Sequence, residues 1–216
     1  IMDTLLLCGG PLEEAFALTV LESLKPDCII GIDRGLNFCY RQNIHPDYIL
    51  GDFDSIDQEI LDYYEHQSEI PVKRYKPEKD ATDTRIGLEL AMKLGSHRVF
   101  LLGATGGRLD HYMGNLQSLT AARMQGVEAW ILDSRNALTV LDKPFIIQKE
   151  KQFGKYVSFF SMSDKVEGLT LTGFQYPLCE YTMTNFDGIG VSNEIQDETA
   201  KVEFRTGMVL MVMSRD

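Results

Sequence analysis

Asp52 and Asp54 stand two residues apart in Gly51-Asp52-Phe53-Asp54-Ser55, directly after the apolar run Tyr48-Ile49-Leu50. Residues i and i+2 of an extended chain point to the same side. The pair is therefore expected to aim both carboxylates past a strand end while Phe53 turns away to pack. Two carboxylates so placed repel each other unless a cation lies between them. A hard divalent ion such as Mg²⁺ suits the gap, because it takes one or two carboxylates together with waters and substrate phosphates. A turn of solvated acids with a helix cap is the plain alternative for an isolated Asp-x-Asp. Further clusters in the chain shift the balance toward chemistry.

One is Lys79-Asp80-Ala81-Thr82-Asp83, which leads into an amphipathic helical pattern. Asp80 or Thr82 suits the cap, and Asp83 falls in the first turn, where negative charge is favoured. A third acid at Asp83 would complete a carboxylate set with Asp52 and Asp54 for one or two Mg²⁺ ions. Another is Gly103-Ala104-Thr105-Gly106-Gly107-Arg108-Leu109-Asp110-His111. Its glycines free backbone amides to turn toward an anion. Arg108 adds a fork that binds phosphate oxygens bidentately, and the next helix offers its N-terminus to negative charge. The stretch is neither a Walker A loop nor GxGxxG. A fourth cluster, Asp33-Arg34-Gly35-Leu36-Asn37, follows the apolar run Cys28 to Ile32. All four fall where strands end, the side on which open parallel sheets bind ligands. His45, His66 and His97 sit near turns or helix ends and read as solvated, whereas His111 gains weight from its neighbours. There is no Ser-His-Asp arrangement and no Cys/His metal spacing.

These clusters need elements to hold them. Apolar runs predict strands at Thr4–Cys8, Asp27–Ile32, Tyr48–Leu50, Val72–Tyr75, Arg98–Leu102 and Ala129–Leu132. Helical periodicity falls between them, over Leu12–Leu24, Gly35–Arg41, Gln58–His66, Asp83–Leu94 and Tyr112–Met124, with Ile86, Leu90 and Leu94 on one face. Such alternation predicts a mostly parallel sheet with helices on both faces, with Trp130 in the core of its last strand. After Asp133 the pattern becomes strand after strand, and Thr206-Gly207 reads as a tight hairpin turn. That predicts a small antiparallel β-sandwich. The fold class is α/β followed by all-β, divided into residues 1–135 and 136–216.

The bulk composition narrows the partners. A chain of 216 residues that is 44% hydrophobic and 25% charged can build a sizeable core without staples. Its formal charge of -11 argues against a nucleic-acid backbone as partner, since that binding rests on Lys and Arg. Cys8, Cys28, Cys39 and Cys179 show no CxxC pairing, and three lie in or beside apolar runs, as reduced buried thiols of a cytosolic protein do. No apolar run is long enough to span a membrane, and Thr4 to Cys8 is too short for a signal peptide.

Taken together, Asp33-x-Gly-x-Asn37, Gly51-Asp-Phe-Asp-Ser55, Lys79-Asp-x-Thr-Asp83, Gly103 to His111, Asn115-Leu116 and Val191-Ser192-Asn193-Glu194 resemble the thiamine pyrophosphokinase family. The resemblance implies an α/β ATP- and Mg-binding catalytic domain over 1–135 and a β-sandwich over 136–216 that binds thiamine and dimerises. It implies Mg²⁺-dependent transfer of pyrophosphate from ATP to the thiamine hydroxyl, giving thiamine diphosphate and AMP. It also implies a cytoplasmic homodimer with active sites between protomers. Asp52, Asp54 and Asp83 would hold Mg²⁺, and Arg108 and Asp110 would act at the phosphates and the thiamine end. Asp33, Gly35, Asn37, Lys79, Asp80, Thr82, Thr105, Gly106, Gly107, His111 and Asn115 would line the substrates. Ser192 and Asn193 would face thiamine, Ser192 from the partner protomer. Arg34 departs from the family, which has Gly or a small residue there. Two alternatives stand beside this reading. A phosphatase of the haloacid dehalogenase type also has Asp-x-Asp after a strand, but with Thr where this chain has Ile56. A non-catalytic nucleotide- or metal-binding module is the other, and the Arg108 cluster argues against it.

Overall fold

The structure, a computed structural model, describes residues 1–67, 69–74 and 82–216. Lys79 and Asp80 lie outside the described residues. The chain divides into two compact units, Ile1–Ser134 and Arg135–Asp216.

The first unit runs β1 (Asp3–Leu7), α1 (Glu14–Leu24), β2 (Cys28–Ile32), α2 (Gly35–Arg41), β3 (Tyr48–Gly51), α3 (Gln58–Glu65), β4 (Val72–Arg74), α4 (Asp83–Lys93), β5 (Arg98–Leu102), α5 (Leu109–Met124) and β6 (Glu128–Leu132). Its strands are parallel throughout, in the order β6-β5-β1-β2-β3-β4. Helices cover both faces. Leu5, Leu7 and Ile49 pack with Ala17 and Val20 of α1, Phe38 of α2 and Leu61 and Tyr64 of α3. Ile49 and Leu50 are successive strand residues and so point oppositely. On the Leu50 side lies α4, whose Gly87 comes so near that a Cβ there would stand 2.4 Å from Ile32 Cδ1 and 3.5 Å from Leu50 Cδ1.

Three expectations change here. The buried face of α4 is Gly87, Leu88, Leu90 and Ala91, while Ile86 and Leu94 are only half-buried. Helix α5 begins a turn before Tyr112, and its first residue, Leu109, is 79% exposed. That turn has no apolar face to bury, so periodicity could not reveal it. Trp130 is half-buried and donates from Nε1 to Glu128 Oε1 at 2.7 Å, so it does not belong to the core.

The second unit contains β7 (Asn136–Leu141), β8 (Phe145–Gln148), β9 (Tyr156–Ser161), β10 (Lys165–Thr172), β11 (Leu178–Thr184), β12 (Asn193–Glu194), β13 (Thr199–Glu203) and β14 (Val209–Ser214). They form two antiparallel sheets, β12-β9-β14-β7 and β11-β10-β13-β8. Phe159 of β9 meets Phe174 edge to face at 5.5 Å between ring centroids. Thr206-Gly207 is not a hairpin turn. Strand β13 pairs with β10 and β8, whereas β14 pairs with β7 and β9, so the chain changes sheets at that point. Both flanking strands alternate as hairpin arms would, and their true partners are distant in sequence. Cys8, Cys28 and Cys39 are buried free thiols, and Cys179 is exposed. Among the described residues no helix is long and apolar enough to cross a membrane.

The start of α2 lies against the end of β1. A Cβ on Gly35 would stand 1.9 Å from the carbonyl oxygen of Leu7 and 3.1 Å from that of Cys8. Both obstacles are backbone and neither can swing away. Gly35→Ala is therefore expected to destabilise the fold by at least about 2 kcal/mol, as overpacking of a rigid contact does, and urea denaturation measures it.

Candidate active site

Strand β1 lies between β2 and β5, where the order of the sheet reverses. In open α/β sheets the crevice beyond the strand ends at such a point takes ligands. Here the loops after β1 and β5 are joined by backbone hydrogen bonds, Cys8 N to Leu102 O at 2.8 Å and Gly10 N to Gly103 O at 2.9 Å. Beside them a cavity of about 250 Å³ is lined by Cys8, Gly9, Gly10, Arg34, Asn37 and Arg41, among others. Arg41 is anchored by Glu14, with Nε donating to Oε1 at 2.8 Å, and Gln42 Nε2 donates to the other carboxylate oxygen at 2.8 Å. Arg41 holds the Glu14 carboxyl below its ordinary acidity range. The Oδ1 of Asn37 is buried without a hydrogen-bond partner, a cost of about 1–3 kcal/mol for an acceptor so placed. Sequence reasoning missed Gly9 and Gly10. Their signal was a Gly-Gly-Pro turn directly after the first apolar strand.

The carboxylates gather differently from the expectation. Phe53 has φ 61°, so the chain leaves extended geometry as soon as β3 ends. The rule that i and i+2 share a side fails there. Asp54 is exposed, and its N–H donates to Asp52 Oδ1 at 3.1 Å. The third member of the group is Asp33 at the end of β2, also left-handed at φ 46°. Its Oδ1 accepts from Phe53 N at 3.3 Å, and its carboxyl feels the charges of Asp83 and Asp52. Burial, then the charge of Asp83, then that of Asp52 push the Asp33 carboxyl up to about 7, against the opposing hydrogen bond from Phe53. Asp83 occupies the first turn of α4, which Thr82 caps by accepting from Arg85 N at 3.3 Å.

Among the described residues no three acidic, His or Cys side chains are arranged to hold a metal as they stand. Yet Asp33, buried beside the charges of Asp83 and Asp52, keeps its proton near neutrality. Such a donor set lacks positive charge. A hard divalent ion that takes its remaining ligands from water and phosphate would supply it. The residues present fit such an ion.

At the mouth of the β5 loop, Arg108 precedes α5. Its fork is engaged by Asp110, Nε to Oδ1 at 3.1 Å and Nη2 to Oδ2 at 2.5 Å. Arg108 keeps the Asp110 carboxyl below its ordinary range. Both side chains are largely exposed, 73% and 62%, so the pair is weak and open to exchange. Gly106, Gly107 and His111 are exposed and Thr105 is half-buried. Asn115 is buried and donates from Nδ2 to Ala104 O at 2.9 Å, holding this loop to α5.

In the second unit Asn193 is spent on the fold. Its Oδ1 accepts from Tyr176 N at 2.9 Å and Glu194 N at 3.0 Å, and its Nδ2 donates to Tyr176 O at 2.8 Å. The amide expected to face a ligand is buried in these contacts. Ser192 is exposed, left-handed at φ 58°, and donates from N to Ser158 Oγ at 3.0 Å.

A parallel α/β unit with an acidic rim and glycine-rich loops at its switch point, followed by a sandwich, is the build of a metal-assisted transferase acting on phosphates. Residues 22–131 match the family described as thiamin pyrophosphokinase, catalytic domain, and residues 145–209 match thiamin pyrophosphokinase, vitamin B1 binding domain. The chain belongs to the thiamin pyrophosphokinase family. It is 31% identical over 188 residues to thiamine pyrophosphokinase of Bacillus subtilis, covering 87% of each chain. The crystal structure of thiamine pyrophosphokinase from Bacillus subtilis superposes with a TM-score of 0.88 at 28% identity, covering 99% of both chains. That of thiamin pyrophosphokinase from Geobacillus thermodenitrificans gives 0.83 at 30% identity, covering 100% of this chain and 98% of that one. The family is one of transferases, which favours that reading over a phosphatase or a non-catalytic module.

The raised Asp33 carboxyl has a consequence for stability. Its ordinary value is 3.8 and its folded value about 7. Between these the folded chain keeps a proton that the unfolded chain has released. The contribution is therefore fully present below the lower value and lost as pH rises through the upper one. Asp33→Asn is permanently neutral and escapes this loss. In metal-free protein the variant should gain stability relative to wild type as pH rises from about 4 to 8. Denaturant unfolding of both proteins at each pH, with chelator present, measures the difference.

Proposed function

We propose that this protein transfers pyrophosphate from ATP to the hydroxyl of thiamine, giving thiamine diphosphate and AMP, with Mg²⁺ held by Asp52 and Asp83. The observation that carries the reading is the crowding of Asp33, Asp52 and Asp83 at one sheet edge, in a chain of this family. The thiamine hydroxyl oxygen bonds to the β-phosphorus, and the bond from that phosphorus to the α,β-bridging oxygen breaks. AMP leaves with the bridging oxygen, and the hydroxyl proton is released. Such transfer depends on in-line positioning and charge neutralisation more than on a strong base. Mg²⁺, when bound, neutralises the phosphate oxygens and draws them together.

The chain's own residues supply the rest. Arg108 exchanges Asp110 for phosphate oxygens, which its fork grips bidentately. Asp110, released by that exchange, turns its carboxylate to the thiamine hydroxyl and orients it. Arg34 and Arg41 give the cavity beside Gly9 and Gly10 a cationic lining, suited to the nucleotide. Lys79, Asp80, Thr105, Gly106, Gly107 and His111 belong to the same substrate-facing set, with Asp54 at its margin. Ser192 contacts thiamine from the partner protomer of a homodimer. Exposed Phe186, Ile189 and Val191, just before it in the chain, supply apolar surface for that interface. The enzyme works in the cytoplasm.

The test is product analysis with ATP, thiamine and Mg²⁺. AMP and thiamine diphosphate should appear in equal amounts, with no AMP when thiamine is omitted. Phosphate release without thiamine would mark a phosphatase, and no turnover would mark a binding module.

A further inference from the structure

Arg41 borders two cavities. One is the crevice beside Gly9 and Gly10, between the loop after β1 and helix α2. The other, of about 400 Å³, is lined by Tyr40 of α2 and by Tyr63 and Tyr64 of α3, among others. Tyr63 meets Tyr40 and Tyr64 edge to face, with ring centroids 5.0 and 5.1 Å apart. Such rings attract a guanidinium. An arginine side chain also has many rotamers and loses much freedom when it is fixed. Left to itself, Arg41 would divide its time between solvent, the tyrosines and the crevice.

Glu14 decides among these. It opens α1, two residues past Leu12, which lines the crevice. Its Oε1 accepts from Arg41 Nε at 2.8 Å and from Nη2 at 2.5 Å, and its Oε2 accepts from Gln42 Nε2 at 2.8 Å. One carboxylate thus holds the last residue of α2 and the residue after it. These bonds draw the guanidinium toward α1 and away from the tyrosines, and neither Arg41 bond uses Nη1. Glu14 has two other effects to set against this one. Its charge in the first turn of α1 favours the helix by itself. The same charge beside the crevice repels a polyphosphate.

We propose that Glu14 is a positioning residue for the nucleotide. It holds Arg41 at the crevice, and through Arg41 it raises the affinity for ATP. This rests on the reading above that the crevice takes the nucleotide.

Glu14→Ala, Glu14→Gln, Arg41→Ala and the double variant Glu14→Ala/Arg41→Ala are compared with wild type. Calorimetry with Mg²⁺ and a non-hydrolysable ATP analogue gives Kd. Steady-state kinetics give kcat and both KM values, and urea denaturation gives stability. Glu14→Ala should raise Kd and the KM for ATP at least about fivefold, because the nucleotide must then order Arg41 itself. Its kcat and KM for thiamine should stay within about twofold of wild type, as when binding is lost equally in ground and transition states. Glutamine keeps an acceptor for Arg41, so Glu14→Gln should bind the analogue at least about threefold more tightly than Glu14→Ala. Without Arg41 there is nothing to hold, so adding Glu14→Ala to Arg41→Ala should change Kd by less than about twofold.

Four results overturn the proposal. Stability lowered alike in Glu14→Ala and Glu14→Gln, with Kd unchanged, is a helix-charge role. Tighter binding by Glu14→Ala shows that its charge repels phosphate. An equal loss with and without Arg41 shows a route that bypasses Arg41. Wild-type binding by Arg41→Ala removes Arg41 from the nucleotide. Kd is read without turnover. Wild type that binds the analogue yet forms no AMP from ATP and thiamine contradicts the reaction, and Kd still judges Glu14. Wild type that binds no analogue contradicts both.

Discussion

Where β1, β2, β3 and β5 end, glycine backbone comes so close to a carbonyl or a carboxyl group that no side chain fits between. Gly35 lies against the Leu7 carbonyl, Gly10 against the Gly103 carbonyl, and Gly51 against the carboxyl of Asp33. This close approach draws four loops, far apart in sequence, into one rim. The cavity beside Gly9 and Gly10 depends on it. So does the tie between the β1 and β5 loops, whose hydrogen bonds run from backbone to backbone. A parallel sheet reversing its strand order already leaves a crevice at that place, and the glycines bring its walls together.

Electrostatics then separates the two halves of the rim. The chain carries a formal charge of -11, an unfavourable field for a polyphosphate. On the α2 side, Arg34 and Arg41 line the cavity. On the other, burial together with the charges of Asp83 and Asp52 keeps a proton at Asp33 near neutrality. An anionic substrate enters such a site together with its cation. Arg108, at the start of α5, has a partner, Asp110, that it can release. A surface ion pair of that kind holds little energy, which suits a group that must change partners.

Most of the architecture was legible in the sequence because the strands of the first unit are short apolar runs set between helical patterns. Gly35–Arg41 and Arg98–Leu102 have the boundaries that pattern gives. The misreadings have specific causes. Asp54 was paired with Asp52 on the assumption that the chain stays extended, and a left-handed aromatic residue, Phe53, is invisible to periodicity. Asn193 looked like a ligand contact because it is polar and lies in a loop motif, but its partner Tyr176 is seventeen residues away. Thr206-Gly207 has the local chemistry of a hairpin, and only distant pairing reveals that it links two sheets. Gly9 and Gly10 were passed over because their contacts, with Arg34 and with Gly103, are again remote in the chain. What depends on local pattern could be read, and what depends on long-range backbone contact could not.

The central claim is that the carboxylates gathered at the sheet edge hold a divalent ion that meets the nucleotide phosphates. Mn²⁺ can stand in for Mg²⁺ and be located by its anomalous scattering in crystals grown with a non-hydrolysable ATP analogue. The account predicts an anomalous peak at about 2.1 Å from a carboxylate oxygen of both Asp52 and Asp83 and from a phosphate oxygen of the analogue. Analogue bound with Mn²⁺ elsewhere, and both carboxylates free of it, would contradict the account.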